Sequence, residues 1–272
     1  MAAPKLIATD LDGTFLSSDH LPTVLNLEAV RVAHARGVHI VFATGRPARW
    51  LQVLDPLADL RPGVIASNGA VLYDIAEHQV TRAWPLPRQA SLDVMADVEV
   101  MVPGAMFAVE YVNGWGRLNK YPPRGDFVEA NVITDSPEEL FDARVAVKLL
   151  IMHAEMATEE LFDLAAPVVG GRLDATFSWM GGLALLELSA PGVSKGSALL
   201  ELMGAHGIHR DEVVAFGDMP NDIPMLEVAG CGYAMANSHP MLLARGYPSA
   251  GRHDEDGFGR TVMNLLNKAD LR

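Results

Sequence analysis

The stretch KLIATDLDGT, Lys5 to Thr14, decides how the rest of the chain is read. Its first half is an apolar run with a β-branched Ile7 and no helical spacing, as in a short strand buried on both faces. Two carboxylates one residue apart, Asp10 and Asp12, end the run. Gly13 follows and permits a sharp turn beside a ligand, and Thr14 is placed to cap or brace it. Acids this close repel each other and are costly unless a cation joins them. Such a pair at a strand end points to chemistry there.

Working outward, the pattern repeats. The residues from Pro22 to Arg36 predict a helix, opened by Pro22 and Thr23, with Leu27, Val30 and His34 near one face and Gly37 closing it. VHIVFATGR (38–46) predicts a second strand ending at Thr44. Arg49 to Leu57 reads as helix-like, and GVIASNGA (63–70) as a third strand ending near Ser67. This alternation is that of a parallel sheet with right-handed crossovers.

From about Arg82 the pattern changes. Helical spacing is read over 89–101, 138–143 and 157–165, and strands over FAVEYV (107–112) and VAVKLLIM (145–152). RLDATFSW and LALLELS flank Met180-Gly181-Gly182, a hairpin turn signal. NGWGRLNKYPPRGD (113–126), rich in Gly and Pro, reads as a loop. After Pro191-Gly192 the first pattern returns: a helix over Ser194 to His206, VVAFGD (213–218) as a strand ending at Asp218, a helix from Pro220, and GCGYAM (230–235) as a final strand. The expected organisation is one α/β domain, residues 1–81 and 190–272, interrupted by an α+β insertion, 82–189. Insertions are tolerated where chain ends meet at a surface.

The bulk numbers narrow the partners. With 272 residues, 50% apolar and 20% charged, the chain reads as a soluble globular protein able to bury a sizeable core. A net charge of −13 argues against nucleic acid or anionic membrane as main partners. It also demands a local offset for any phosphorylated substrate. Cys231 is the single cysteine, so no internal disulfide forms, and it reads as a small buried residue. The apolar run after Lys5 leaves no room for a signal peptide, and no stretch reaches membrane-spanning length. The expectation is a reducing, cytoplasmic setting. The histidines form no zinc pattern; His206 and His209 read as solvated, as do Asp254, Glu255 and Asp256.

Collected at the carboxyl ends of the expected core strands are Asp10 and Asp12, Thr44, Ser67-Asn68-Gly69, and Asp218 with Asn221 and Asp222. Ligands of an open parallel sheet bind at that edge. Lys195, opening a helix, is placed to reach it. Converging carboxylates with hard oxygen ligands favour Mg²⁺, which also accepts substrate phosphate oxygens. A nucleophile, a metal, a lysine and fixed donors are the parts of phosphoryl transfer.

These motifs carry a resemblance. DLDGT (10–14), ATGR (43–46), SNGA (67–70), GVSKG (192–196) and GDMPND (217–222), in this order and with the insertion between the third and fourth, resemble the haloacid dehalogenase superfamily, and within it the Cof-type phosphatases. The resemblance spans the chain. It implies a Rossmann-like core with an inserted, mobile α/β cap, and a Mg²⁺-dependent phosphatase of small phosphorylated metabolites, sugar phosphates being the commonest expectation. Carried over by motif, Asp10 is the nucleophile that forms an aspartyl-phosphate. Asp12 is the general acid and then the base. Thr44, Lys195 and the Asn68-Gly69 backbone hold the phosphoryl group. Asp10, the carbonyl of Asp12 and Asp218 hold Mg²⁺, while Asp222 and Asn221 support the site.

Departures are few. Phe15 stands where Leu is commoner, a packing matter. MANS (235–238) stands where many relatives read MGNA, so Asn237 is carried over only as a peripheral residue. Arg46 reads equally as a substrate contact or a surface ion pair. In the insertion, Glu110, Arg117, Lys120, Tyr121, Arg124 and Lys148 are the polar candidates for specificity, and Trp179 and Met180 read as packing. Two other functions share these parts. A phosphomutase would pass the aspartyl-phosphate to a sugar hydroxyl, and a phospho-acceptor signalling module would hold it without turnover. The positioned Asp12 and the long insertion favour the phosphatase over the signalling module.

Overall fold

The computed structural model describes residues 4–123, 130–178 and 183–270. The chain opens with β1 (Leu6–Thr9), α1 (Val24–Ala35), β2 (His39–Ala43), β3 (Gly63–Ala66), β4 (Val71–Asp74) and β5 (Gln79–Ala83). It continues through α2 (Arg88–Met101), β6 (Met106–Tyr111), β7 (Trp115–Leu118), β8 (Val132–Thr134), α3 (Pro137–Ala143), β9 (Ala146–His153), α4 (Thr158–Val169), β10 (Asp174–Thr176) and β11 (Ala184–Ser189). Then follow α5 (Lys195–His206), β12 (Val213–Gly217), α6 (Ile223–Val228), β13 (Cys231–Ala234), α7 (Pro240–Leu243) and α8 (Gly257–Asp270). Two compact units result. One comprises Met1–Arg46, Trp50–Thr81 and Ser194–Arg272, the other Pro47–Arg49 and Arg82–Val193.

The first unit is built on a seven-stranded sheet in the order β13-β12-β1-β2-β3-β4-β5. β1 lies between β2 and β12, parallel to both, with Ile7 opposite Ile40 on one side and Val214 on the other. Every residue of β1 and of β12 is buried, which is why these strands read as continuous apolar runs rather than alternating ones. The order reverses at β1: the chain moves to β2 on one side and returns much later on the other. Ligand crevices of open α/β sheets form at this switch, and here it falls at the strand ending in Asp10.

Strand β1 leads into one wide turn over Leu11–Phe15, closed by the Leu16 N–H on the Leu11 carbonyl at 2.8 Å. Phe15 packs against Phe42 and Phe258, with ring centroids 5.0 and 5.3 Å away. Helix α1 is capped by Thr23, whose hydroxyl accepts from the Asn26 N–H at 3.1 Å. Its buried face is Asn26, Ala29, Val30 and Ala33, offset from the expected Leu27, Val30 and His34; His34 is exposed. The cause is Asn26, which donates to the Phe15 carbonyl at 2.7 Å and accepts from the Gly259 N–H at 2.9 Å. A polar side chain satisfied in this way joins the core.

Other expectations are corrected. The helix-like stretch from Arg49 forms 3₁₀ turns over Ala48–Trp50 and Gln52–Leu60, with Pro56 inside the second and unable to supply an α-helical donor. Strands β4 and β5 extend the first sheet, and β4 runs antiparallel to β3, so the sheet is mixed at that edge. Cys231 is partly exposed rather than buried. His206 and His209 are exposed.

The second unit carries a six-stranded sheet in the order β10-β11-β9-β6-β7-β8. Its neighbours are antiparallel except for β7 and β8. The stretch read as a loop contains β7, held by the buried Trp115 packing on Tyr121 with centroids 6.3 Å apart. In the expected strand FAVEYV every residue from Phe107 to Tyr111 is buried. The Met180-Gly181-Gly182 turn, Trp179 and Arg124 lie outside the described residues. Strands β10 and β11, either side of that turn, do pair antiparallel. No helix among the described residues is long and apolar enough to cross a membrane.

Candidate active site

The β-strand ends of the first unit deliver most of the expected residues to one place. Asp10 follows β1, and its N–H donates to the Phe216 carbonyl of β12 at 3.0 Å. Asp218 follows β12. Asp222 lies in the short turn Pro220–Asp222 just beyond. Asp10, Asp218 and Asp222 are all buried, and each offers a carboxylate oxygen within 4.8 Å of the others.

Lys195 is the first residue of α5, and the Ser194 side chain caps that helix by accepting from the Ser197 N–H. The cap fixes where the helix starts and so where the lysine leaves the backbone. Lys195 is 1% exposed. Its Nζ donates to Asp10 Oδ1 at 2.5 Å and to Asp222 Oδ1 at 2.7 Å. The other oxygen of Asp222, Oδ2, accepts from the N–H groups of Asp218 and Met219, each at 3.0 Å. Asp222 is thereby occupied on both oxygens and serves as a brace, turning the lysine toward Asp10 and fixing the Asp218 backbone. Asp218 Oδ1 accepts from the Thr14 hydroxyl at 3.2 Å, the bracing expected of Thr14.

The electrostatics are unbalanced. Three buried carboxylates face one ammonium. Burial pushes the Asp10 carboxyl up to about 7; Lys195 opposes the rise, and the Asp222 and Asp12 charges add to it. Burial, with the charges of Asp10 and Asp222, also raises Asp218 well above the ordinary carboxyl range. Burial works against the Lys195 charge, yet the two aspartates outweigh it and hold the ammonium above its usual value. A divalent cation held by oxygen ligands is what such a donor set lacks, so the residues fit Mg²⁺.

Asp12 points to different partners. Its carboxylate accepts from Arg46 twice, Nε to Oδ2 at 2.7 Å and a terminal nitrogen to Oδ1 at 2.5 Å, the two-pronged guanidinium geometry. Oδ1 also meets His20 Nδ1 at 3.2 Å. Burial alone would raise this carboxyl, but the hydrogen bond and charge of Arg46, with His20, hold it below its usual value. Of the two readings left open for Arg46, the structure shows the ion pair, made by a part-buried arginine with Asp12.

Gly13 lies between these groups with φ +77°; a Cβ there would sit 2.3 Å from Asp218 Oδ2. The turn carries a glycine because a side chain would occupy the space of an acid. The Gly13 carbonyl accepts from Asn237 Nδ2 at 2.9 Å, and Asn237 Oδ1 accepts from the His253 N–H. Asn237 is thus a clamp on the turn.

Thr44 is buried, and its Oγ1 accepts from the Arg46 N–H at 3.1 Å. Its carbonyl accepts from the Asn68 N–H at 3.0 Å. Ser67, Asn68 and Gly69 all have positive φ, at 50°, 60° and 108°, a strained run held because Gly69 packs its Cα against the Ser194 carbonyl, where a Cβ would lie 2.2 Å away. Asn221 Nδ2 donates to Asn68 Oδ1 at 3.0 Å. Asn68 Nδ2 and Asn221 Oδ1 are buried without a partner among the described residues.

Several candidates of the second unit are engaged with protein partners. Glu110 accepts from Arg49, and Lys148 donates to Glu187 at 2.5 Å. Arg117 donates to the Tyr121 carbonyl at 2.8 Å, and Lys120 forms an exposed pair with Glu99.

A model of the haloacid dehalogenase-like hydrolases matches residues 7–261. The chain belongs to that family. It is 29% identical over 291 residues to the phosphatase YwpJ of Bacillus subtilis, covering 96% of this chain and all of that one. It is 27% identical over 275 residues to the pyridoxal phosphate phosphatase YbhA of Escherichia coli, covering 96% and 98%. Among solved structures, the HAD subclass IIB sugar phosphatase BT4131 superposes with a TM-score of 0.78 at 26% identity, covering 96% of this chain and 98% of that one. The chain is a hydrolase of a family whose named relatives are phosphatases.

Two contributors had no signal in the sequence. His20 stands eight residues beyond Asp12, off any periodicity. Asp254, read as solvated, accepts from both the N–H and the hydroxyl of Ser18, each at 2.8 Å.

Proposed function

We propose that this protein is a Mg²⁺-dependent phosphatase that hydrolyses a small phosphorylated metabolite through an aspartyl-phosphate. The observation that carries the reading is the buried Lys195 bridging Asp10 and Asp222 beside Asp218. A lysine held 2.5 Å from a carboxylate at a topological switch, with two more acids braced around it, is the machinery of phosphoryl transfer.

Asp10 attacks phosphorus as the bond to the leaving oxygen breaks, and Asp12 gives that oxygen a proton. Asp12, now a carboxylate, takes a proton from a water whose oxygen attacks the same phosphorus; the Asp10 oxygen–phosphorus bond breaks and Asp10 is restored. Proton, phosphoryl group and water balance over the cycle. Lys195 neutralises phosphoryl oxygens and keeps Asp10 placed. The Thr44 hydroxyl, Gly69 and Asn68 Nδ2, which has no partner among the described residues, supply neutral donors, while the backbone N–H of Asn68 is already given to the Thr44 carbonyl. Asp10, the Asp12 carbonyl and Asp218 are the ligands that would hold Mg²⁺, with Asn221 and Asp222 in support. When bound, the ion offsets the acid cluster and the charge of the phosphate. The pyridoxal phosphate and the sugar named for two relatives support a small phosphorylated metabolite, a sugar phosphate or similar monoester.

The test is hydrolysis of p-nitrophenyl phosphate, read as p-nitrophenolate release. Activity with Mg²⁺ should vanish with EDTA and return with added Mg²⁺. Asp10→Asn should lose at least about 10⁴-fold in kcat, as expected when the nucleophile of a covalent mechanism is removed, with unchanged far-UV circular dichroism. An active Asp10→Asn would sink the reading.

A further inference from the structure

The short hairpin after the Asp10–Thr14 turn is built with unusual care for an exposed segment. Leu16 bridges Pro22, the Ser17 N–H donates to the Leu21 carbonyl at 2.9 Å, and the His20 N–H donates to the Ser17 carbonyl at 2.9 Å. At its tip His20 adopts φ +58°, a left-handed conformation that a histidine enters only at a cost. The hairpin is pinned from outside by Ser18, whose N–H and hydroxyl both donate to Asp254. The Ser18 hydroxyl also meets His253 Nε2 at 3.2 Å. This strained, doubly fastened turn places His20 Nδ1 against Asp12 Oδ1.

The contact makes the Asp12 carboxylate asymmetric. Oδ1 receives Arg46 and His20, while Oδ2 receives only Arg46 Nε. An acid that hands a proton to a leaving oxygen needs one oxygen held more firmly than the other; here Oδ1 has two partners, and Oδ2 has Arg46 Nε among the described residues. We propose that His20 is a positioning residue for Asp12: with Arg46 it anchors Oδ1, so that Oδ2 carries the proton to the leaving oxygen. This rests on the reading of Asp12 as the general acid. Oδ2–H gives its proton to that oxygen as the oxygen–phosphorus bond breaks and Asp10 bonds to phosphorus, leaving Asp12 a carboxylate still held at Oδ1. The device matters for alcohols that leave as poorly stabilised alkoxides and much less for phenols that leave as stable anions. It therefore fits an unactivated alkyl phosphomonoester as the class of natural substrate.

The discriminating measurement is the ratio of kcat/KM for an alkyl phosphate, glycerol 2-phosphate, to that for p-nitrophenyl phosphate, since kcat/KM reports the first phosphoryl transfer. His20→Gly relieves the left-handed strain, so its melting temperature should hold or rise. Its alkyl-to-aryl ratio should nevertheless fall about tenfold, a fraction of what general acid catalysis is worth. His20→Asn, which tolerates the same backbone and keeps a donor, should recover most of the ratio. Asp254→Ala, which unpins the hairpin, should lower the ratio in the same direction. An unchanged ratio in His20→Gly overturns the positioning role. Asp12→Asn in the same assay separates the two levels of the argument: if it too leaves the ratio unchanged, the acid role itself is wrong, whereas a fall in Asp12→Asn alone confines the failure to His20.

Discussion

Metal-free protein should lose stability as the pH rises from 5 to 8, and Mg²⁺ should abolish that loss. The cause is the imbalance of Asp10, Asp218 and Asp222 against Lys195. Asp10 is raised from 3.8 to about 7 in the fold. A group raised on folding favours the native state while protonated. Its contribution is fully present below the unfolded value and disappears as pH climbs through the folded one. At about 1.4 kcal/mol per pKa unit, Asp10 alone sets a ceiling of about 4 kcal/mol; Asp218 moves in the same direction. Lys195 is raised from 10.5, so its contribution stays constant below about pH 10 and leaves this window untouched. His39, lowered by burial and by its histidine neighbours, acts oppositely near its usual value, but equally with and without metal. The quantity to read is therefore a difference: unfolding free energy from urea titrations in EDTA and in millimolar Mg²⁺, at pH 5, 6, 7 and 8. The gap between the two should open with pH and reach a few kcal/mol by pH 8. A gap independent of pH, or one that closes as pH rises, refutes the proposal that the Asp10 and Asp218 carboxylates are ligands.

Two substitutions probe the same cluster. Lys195→Met leaves Asp10 and Asp222 buried without their shared cation, which should cost about 3–5 kcal/mol by urea unfolding at pH 7.5 and abolish turnover. The cost should shrink at pH 5, where Asp10, raised by burial, regains its proton. Gly13→Ala places a methyl 2.3 Å from Asp218 Oδ2 at φ +77°. It should destabilise by about 1–3 kcal/mol, and isothermal titration should show Mg²⁺ affinity down at least about tenfold.

The residues explain what could be read in advance and what could not. β1, β2, β3 and β12 are buried on both faces of a sheet apart from the first residues of β2 and β3, so each reads as a short, mainly apolar run. The polar residue that stops each run is the one at the crevice: Asp10, Thr44, Ser67, Asp218. Position in the fold and position in the pattern coincide, and the acid cluster was legible for that reason. The turn at Gly13 was read as well, but its wide form over Leu11–Phe15 and the 3₁₀ turns after Ala48 were not, because their hydrogen bonds follow no helical period in the side chains. β7 was hidden by its own composition: Gly114 and Gly116 flank Trp115 and read as turn residues, and what makes the segment a strand is its pairing with β6 and β8, with Trp115 packed on Tyr121. Arg46 and His20 were unreadable as partners of Asp12 for a different reason. Their roles depend on a side-chain reach and on a left-handed backbone, neither of which leaves a mark in local sequence.

The place of β1 in the sheet has a consequence for synthesis on the ribosome. β1 gains β2 within a few dozen residues, but its other neighbour, β12, begins at Val213. At roughly 5–20 residues per second, that interval of about 200 residues lasts on the order of ten to forty seconds. Throughout it the apolar strand that carries Asp10 is a bare sheet edge, the kind of surface that recruits strands from other chains. The nascent protein is therefore most vulnerable to aggregation at the strand on which its chemistry depends, and arrest of translation before Val213 should yield a chain held by chaperones rather than a partly active one.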